Sequence, residues 1–374
     1  MQPLLVNYSR MNNQKIIIDL LACLQKNCGY SIEDRLQCRQ MLTDYLGHIS
    51  EAEIPEKPLW PSYITDDHSP IEFSVTFSKT NKPIVRVLGE PLPHNPQNIE
   101  EIKHFAQQWI LKAKQRVGGW TYFDQLEKIF LPDEVNPQAT FYFWFGIDLK
   151  QFKALNKVYF NPNISSSETA TEKVLKTMQT FDIDSGKLQL LMKMFGLSDE
   201  NFEFISIDLG DSPRLKIYIR LLQFNEKKVT DLVTVAFPEA LASVKQFCNY
   251  FFDTNIGSGD LTPRSFGERN STTGLVFALV YSITEKKIVS LKFHAPLRHY
   301  YSNDEVLGNR VSSYLLDNQY VLGNNYLVLL HQMCSYRNLK DRTGIQTLVS
   351  IAKKEEGEEI TIYLAPEIYN RKQK

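Results

Sequence analysis

The chain has 374 residues, room for two domains or one large unit at roughly 100–200 residues per domain. Hydrophobic residues make up 43% and charged residues 23%, which excludes a disordered or fibrous chain. A net charge of -1, from 42 Lys+Arg against 43 Asp+Glu, offers no footprint for nucleic acid. The longest apolar runs, 141–145 and 274–281, fall far short of the ~20 residues a membrane helix needs. The N-terminus lacks a basic start followed by a long apolar stretch, so a soluble, cytoplasmic protein without a secretory signal is expected. The five cysteines (Cys23, Cys28, Cys38, Cys248 and Cys334) form no C-x-x-C pair and read as small buried side chains, with neither a zinc site nor a disulfide framework.

Taken in chain order, the pattern alternates helices with pairs of strands. An N-terminal helical segment (1–58) includes a helix at 31–49 with a Ser-x-x-Asp start. Strands at 69–78 and 83–91 follow, joined by the turn Lys79-Thr80-Asn81-Lys82. Helices at 99–117 and 121–130 precede strands at 139–149 and 155–162. Helices at 167–180 and 185–195 precede strands at 202–210 and 214–221, and a helix at 237–253 precedes strands at 274–283 and 288–296. Helices near 303–318 and 324–336 precede the last strands, 345–353 and 359–366.

The second strands, marked at Arg86, Lys157, Lys216, Lys292 and Thr361, are separated by 71, 59, 76 and 69 residues. A unit of that size recurring five times is an internal helix-helix-strand-strand repeat. Five hairpins joined edge to edge supply ten antiparallel strands, and closing the sheet removes its exposed edges. The expected fold is α+β: a ten-stranded antiparallel β-barrel of five ααββ repeats inside a ring of α-helices, one domain over 1–374 with repeats about 60–370.

If helices cover the outside, one face of each strand must be apolar and the other must line the lumen. Arg86 alternates with Val85 and Val87, Lys157 and Tyr159 with Val158 and Phe160. Arg214, Lys216, Tyr218 and Arg220 oppose Leu215, Ile217 and Ile219; Lys292 and His294 oppose Leu291 and Phe293; Thr361 and Tyr363 oppose Ile360 and Ile362. On the first strand Glu72 and Ser74 alternate with Phe73 and Val75. The blander alternative is half-exposed strands with their cations in water, but cation-x-Tyr or cation-x-His recurs on strand after strand. A lumen holding Arg86, Lys157, Arg214, Lys216 and Lys292 with one acid, Glu72, calls for a polyanion. A diphosphate fits, since Arg offers bidentate contacts and Lys point charges. The neighbouring tyrosines offer π-faces to a carbocation, so the whole suits ionisation of an allylic diphosphate.

At these residues the sequence resembles the aromatic prenyltransferases of the dimethylallyl-tryptophan-synthase type, whose fold is the PT barrel or ABBA fold. The resemblance runs over residues 60–370 and rests on motif order. By that resemblance SPIEFS implies Glu72 as the catalytic residue that hydrogen-bonds an indole N–H. IVRVLGEP implies Arg86 for diphosphate binding; KVYFNP implies Lys157 for diphosphate and Tyr159 for the cation shield; RLKIYIR implies Arg214, Lys216 and Tyr218 in the same roles. SLKFHAP departs from the family by pairing Lys292 with His294 where Tyr is usual, and of the last hairpin only Tyr363 fits with confidence. Either Lys353 or Lys354 could stand for a late diphosphate-binding Arg, and TFYFWF lacks the lysine base some relatives carry on that strand. Trp144 would line the acceptor pocket if its strand phase points inward.

The expected activity is transfer of a dimethylallyl or geranyl group from its diphosphate to the indole ring of a tryptophan-derived alkaloid in secondary metabolism. Its partners would be the allylic diphosphate and the indole acceptor, with no nucleic acid and no membrane. The alternatives are a phenolic or phenazine acceptor and a non-catalytic ligand-binding barrel. Asp66-Asp67 and Asp182-Ile183-Asp184 fall short of an Asp-Asp-x-x-Asp run. No metal site or cofactor is expected, and any Mg²⁺ would be held through the diphosphate. His331 is read as a packing or surface residue and Gly257-Ser258-Gly259-Asp260 as an ordinary loop. The Lys- and Asn-rich composition and the short chain resemble cyanobacterial members of the family.

Overall fold

Ten strands pair edge to edge in chain order, all antiparallel, until the last meets the first. The computed structural model describes residues 13–46 and 57–372, apart from 59, 94, 117–119, 150–156, 166, 211, 223, 253–273 and 356. The strands are β1 (Ile71–Ser78), β2 (Ile84–Gly89), β3 (Phe143–Asp148), β4 (Lys157–Phe160) and β5 (Phe202–Asp208). They continue as β6 (Arg214–Leu221), β7 (Leu275–Ser282), β8 (Lys287–Ala295), β9 (Gln346–Lys354) and β10 (Gly357–Leu364). The ring is closed by β1 on β10, with Phe73 opposite Leu364 and Ser78 opposite Glu359.

Two helices precede each hairpin: α1 (Asn13–Asn27) and α2 (Ile32–Leu46), then α3 (Ile99–Arg116) and α4 (Thr121–Phe130), then α5 (Ala170–Thr180) and α6 (Gly186–Phe195). The last two pairs are α7 (Glu226–Ala236) with α8 (Leu241–Phe251), and α9 (Asp304–Asp317) with α10 (Tyr326–Met333). The five ααββ repeats and the closed barrel match the sequence reading. No described helix is long and apolar enough to cross a membrane.

The outward strand residues are apolar and buried under the helices: Phe73, Val75, Val85, Ile147, Val158, Ile205, Ile217, Leu279, Phe293, Ile351 and Ile362 are all at most 1% exposed. Trp109 on α3 stacks on Phe145 of β3 at 4.8 Å between ring centroids. That stack needs Gly89 on β2, because a Cβ there would lie 2.4 Å from the Phe145 ring.

Three local readings change. Helix α7 is missing from the sequence reading, and the helix expected at 237–253 opens as a 3-10 turn (Pro238–Ala240) before α8. The β-branched run in EKKVTDLVTVA hides α7, yet Asn225 caps it by accepting from Lys228 N, and Val229, Leu232, Val233 and Ala236 form its buried stripe. Strand β3 is shorter than the expected 139–149. The Gly257–Asp260 loop lies outside the described residues.

Gly89→Ala forces the Phe145 ring to move against Trp109 and is expected to destabilise the fold by about 1–3 kcal/mol. Thermal unfolding measures this, and an unchanged midpoint would show that the stack has slack.

Candidate active site

Strand alternation turns one residue in two into a lumen lined by two joined compartments. Between them these hold all ten residues singled out from the sequence: Glu72, Arg86, Lys157, Tyr159, Arg214, Lys216, Tyr218, Lys292, His294 and Tyr363.

The smaller compartment, about 100 Å³, is cationic. Arg86, Lys157, Arg214, Lys216, Lys292 and Lys354 line it; of the two late lysines, Lys354 faces this space and Lys353 does not. Small residues across the ladder make room for them. Lys292 stands between Ala278 and Ala352, Lys216 faces Ser206, and Lys157 faces Gly146, where a Cβ would press to 3.1 Å from the lysine's own.

The expectation of a single lumen acid needs correction. Asp148 lies opposite Arg86 and takes its Nε at 3.1 Å; Arg86 also bonds Thr76. Asp208 lies opposite Lys157, accepts from Arg214 Nε at 2.7 Å and bonds Lys216. Glu359 pairs with Lys354 at 2.7 Å. The signal for two of these was available: Ile-Asp-Leu recurs at 147–149 and 207–209, with each Asp in lumen phase at the end of a first strand. These acids fix the cations in place without matching their number.

Titration reflects the excess. Burial, together with Arg86 nearby, lowers Lys157 to about 8, and burial pushes Lys216 and Lys292 well below the ordinary lysine range. Asp208 resists the opposite pull of burial, because Lys216, Lys157 and Arg214 hold it below the usual carboxylate range.

The larger compartment, about 360 Å³, is aromatic. Tyr159, Tyr218 and Tyr363 line both spaces and form the boundary. Phe204, which the sequence reading did not single out, packs 4.6 Å from Tyr218 and 5.6 Å from Trp144. Trp144 does point inward, stacked on Phe141 at 3.9 Å.

His294 sits between Tyr218 and Tyr363, 5.8 Å from each ring. Its Nδ1 meets the Val276 carbonyl at 3.3 Å, which only accepts, so Nδ1 carries the proton and Nε2 accepts from the Tyr363 hydroxyl at 3.2 Å. Lys292 donates to that same hydroxyl at 2.9 Å. Burial and Lys292 keep the imidazole's pKa well below normal. The ring is therefore neutral and does not repel a cation beside it.

Glu72 stands at the junction, lining both spaces and only 4% exposed. Thr347 donates to its Oε1 at 2.6 Å. Thr347 reaches the lumen because the β9–β10 register shifts there: Leu348 pairs with Tyr363, but Gln346 pairs with Leu364. Burial raises the Glu72 carboxyl to about 8, against the opposing pull of the Thr347 hydrogen bond and the Arg298 charge. Neither helper was legible, since Thr347 is off-phase and Arg298 lies in the 3-10 turn Leu297–His299 after β8.

Residues 14–320 match the family model described as tryptophan dimethylallyltransferase. The chain belongs to that family. It is 24% identical to 4-O-dimethylallyl-L-tyrosine synthase of Claviceps purpurea, over 93% of this chain and 86% of the relative, and 23% identical to a prenyltransferase of Aspergillus ruber, over 94% and 90%. The fold matches 5-dimethylallyl tryptophan synthase from Streptomyces coelicolor, solved with DMASPP and Trp, with a TM-score of 0.80, 20% identity and 96% of each chain covered. It also matches 6-dimethylallyltryptophan synthase from Micromonospora olivasterospora, with a TM-score of 0.79, 22% identity and 96% and 98% covered. The chain is thus an aromatic prenyltransferase of the PT-barrel fold.

A polyanion among buried, partly neutral lysines draws protons onto them. Binding of inorganic pyrophosphate is therefore expected to take up protons near pH 8 and to weaken as pH rises above about 8, where Lys157 in the empty site loses its charge. Calorimetry in two buffers of different ionisation enthalpy reads both; proton release, or an affinity flat across that range, would contradict the assignment.

Proposed function

We propose that this prenyltransferase moves a dimethylallyl or geranyl group from its diphosphate onto the indole ring of a tryptophan-derived acceptor. The observation that carries this reading is the pairing of a six-cation compartment with a tyrosine-bounded aromatic one, with a single buried carboxyl at their junction. Arg86, Lys157, Arg214, Lys216 and Lys292, joined by Lys354, bind the diphosphate. The allylic C–O bond breaks with its electron pair leaving on the diphosphate oxygen, whose growing charge the cations stabilise. Tyr159, Tyr218 and Tyr363 present π-faces to the allyl cation, and the neutral His294 completes that wall.

Glu72 accepts a hydrogen bond from the indole N–H and aligns the ring for attack. The ring carbon bonds to the allyl terminus, and the arenium carbon then loses its proton, which restores aromaticity. Glu72 takes that proton in its ionised form, and because burial raises its carboxyl to about 8, the ionised fraction grows as pH rises toward that value. Six cations supply the neutralisation a metal would otherwise provide, so we place no metal or other cofactor in the reaction and hold any Mg²⁺ to the diphosphate itself. All five cysteines are free, in keeping with a reducing cytoplasm.

A phenol acceptor is the second reading, favoured by the similarity to 4-O-dimethylallyl-L-tyrosine synthase. A phenol O–H could also donate to Glu72.

Mass spectrometry of reactions pairing dimethylallyl or geranyl diphosphate with indole and phenol acceptors, with and without EDTA, decides among these. The expected result is a gain of one prenyl unit on the indoles that persists in EDTA; equal rates on phenols would sink the glutamate–indole assignment. Glu72→Gln should lower kcat/KM for the acceptor on the order of 10²-fold while changing the donor KM far less. Equal loss in both would make Glu72 a structural residue only.

A further inference from the structure

The two compartments differ in charge as well as in polarity. Among the described residues lining the aromatic compartment, the cations are Arg220 and Arg298. Both are already engaged. Arg220 on β6 bonds Glu203 on β5, which lines the same space, and donates to the Gly274 carbonyl at 3.3 Å. The side chains of this pair are 10% and 18% exposed. Arg298 Nε lies 2.7 Å from Asp66 Oδ2, an ion-pair contact without a directed hydrogen bond, while its Nη1 donates to the Thr347 carbonyl. Glu200 adds a second carboxylate to the wall, and Glu72 lies at the far end. The two guanidiniums are thus paired with Glu203 and Asp66, and the exposed Glu200 adds a further carboxylate to the lining, so the aromatic compartment carries no surplus of basic groups while the smaller one does.

A carboxylate brought into this space has to take a guanidinium from Glu203 or Asp66, leaving that acid buried and unpaired, or else sit unpaired itself. A protonated amine meets the opposite situation, with Glu203 and Glu200 facing it. We propose that the acceptor is an indole derivative without a free carboxylate, one whose α-carboxylate is absent or masked as an amide, and that the Glu203–Arg220 pair enforces the choice. This rests on the indole reading above.

The test compares L-tryptophan, L-tryptophan amide and tryptamine in two measurements on the wild-type protein. One is calorimetric affinity in the presence of the unreactive donor analogue dimethylallyl thiolodiphosphate; the other is turnover with dimethylallyl diphosphate. The amide and the amine are expected to bind and react at least about ten-fold better than the acid. In Glu203→Gln, where Arg220 is released, that ratio should fall toward unity through a gain for L-tryptophan.

A wild-type preference for L-tryptophan, or equal values for all three, overturns the proposal whatever the variant does. An unchanged ratio in a folded Glu203→Gln protein overturns the role of the pair. Tighter binding of the amide without product from any of the three supports the charge selection and counts against the reaction as written. No binding of any of them overturns the indole reading and this inference with it.

Discussion

A closed sheet has two faces and no edges, and in this chain the outer face is fully used by helix packing. Most of the charged side chains in the middle of the strands then point into one lumen. Charge placed there keeps only the compensation the barrel itself provides. The cationic compartment sets Arg86, Lys157, Arg214, Lys216, Lys292 and Lys354 against Asp148, Asp208 and Glu359, while Glu72 is largely neutral near ordinary pH. In the empty site burial eases that excess by favouring the neutral form of Lys157, Lys216 and Lys292, and a polyanion among them would restore their charge. The rest of the site follows from that imbalance.

The boundary between the compartments is as important as the cations. Tyr159, Tyr218 and Tyr363 face both spaces, so in the proposed reaction a group leaving the diphosphate would stay against π-faces until it met a nucleophile. Lys292 and His294, two residues apart on β8, share the Tyr363 hydroxyl as their common partner. One strand thereby contributes an amine to the smaller compartment and a neutral ring to the larger one. The acid at the junction, Glu72, is held by Thr347 from a register shift that regular pairing would not produce.

The fold was legible because two periodicities reinforced each other: alternation within strands, and a helix-helix-strand-strand unit repeated every 59 to 76 residues. Neither depends on long-range knowledge. The lumen residues were legible for the same reason, since strand phase places Lys157 beside Tyr159 and Lys216 beside Tyr218 whatever the partners are. What stayed hidden depends on pairing across strands or on broken phase. Asp148 and Asp208 matter because of what lies opposite them, Thr347 because the ladder slips, and Arg298 because it sits on a turn. Helix α7 escaped because β-branched residues blur helical signals when read alone.

The central claim is that the lumen holds uncompensated positive charge shaped for a diphosphate. The most direct measurement is thermal unfolding with increasing inorganic pyrophosphate, against sulfate at matched ionic strength. Binding to the folded state alone should stabilise by about 2.7 kcal/mol at a hundred-fold excess over Kd. The account predicts a saturable rise in Tm with pyrophosphate that sulfate does not reproduce. Equal shifts with both salts would mean that the cations sense only ionic strength, and would contradict it.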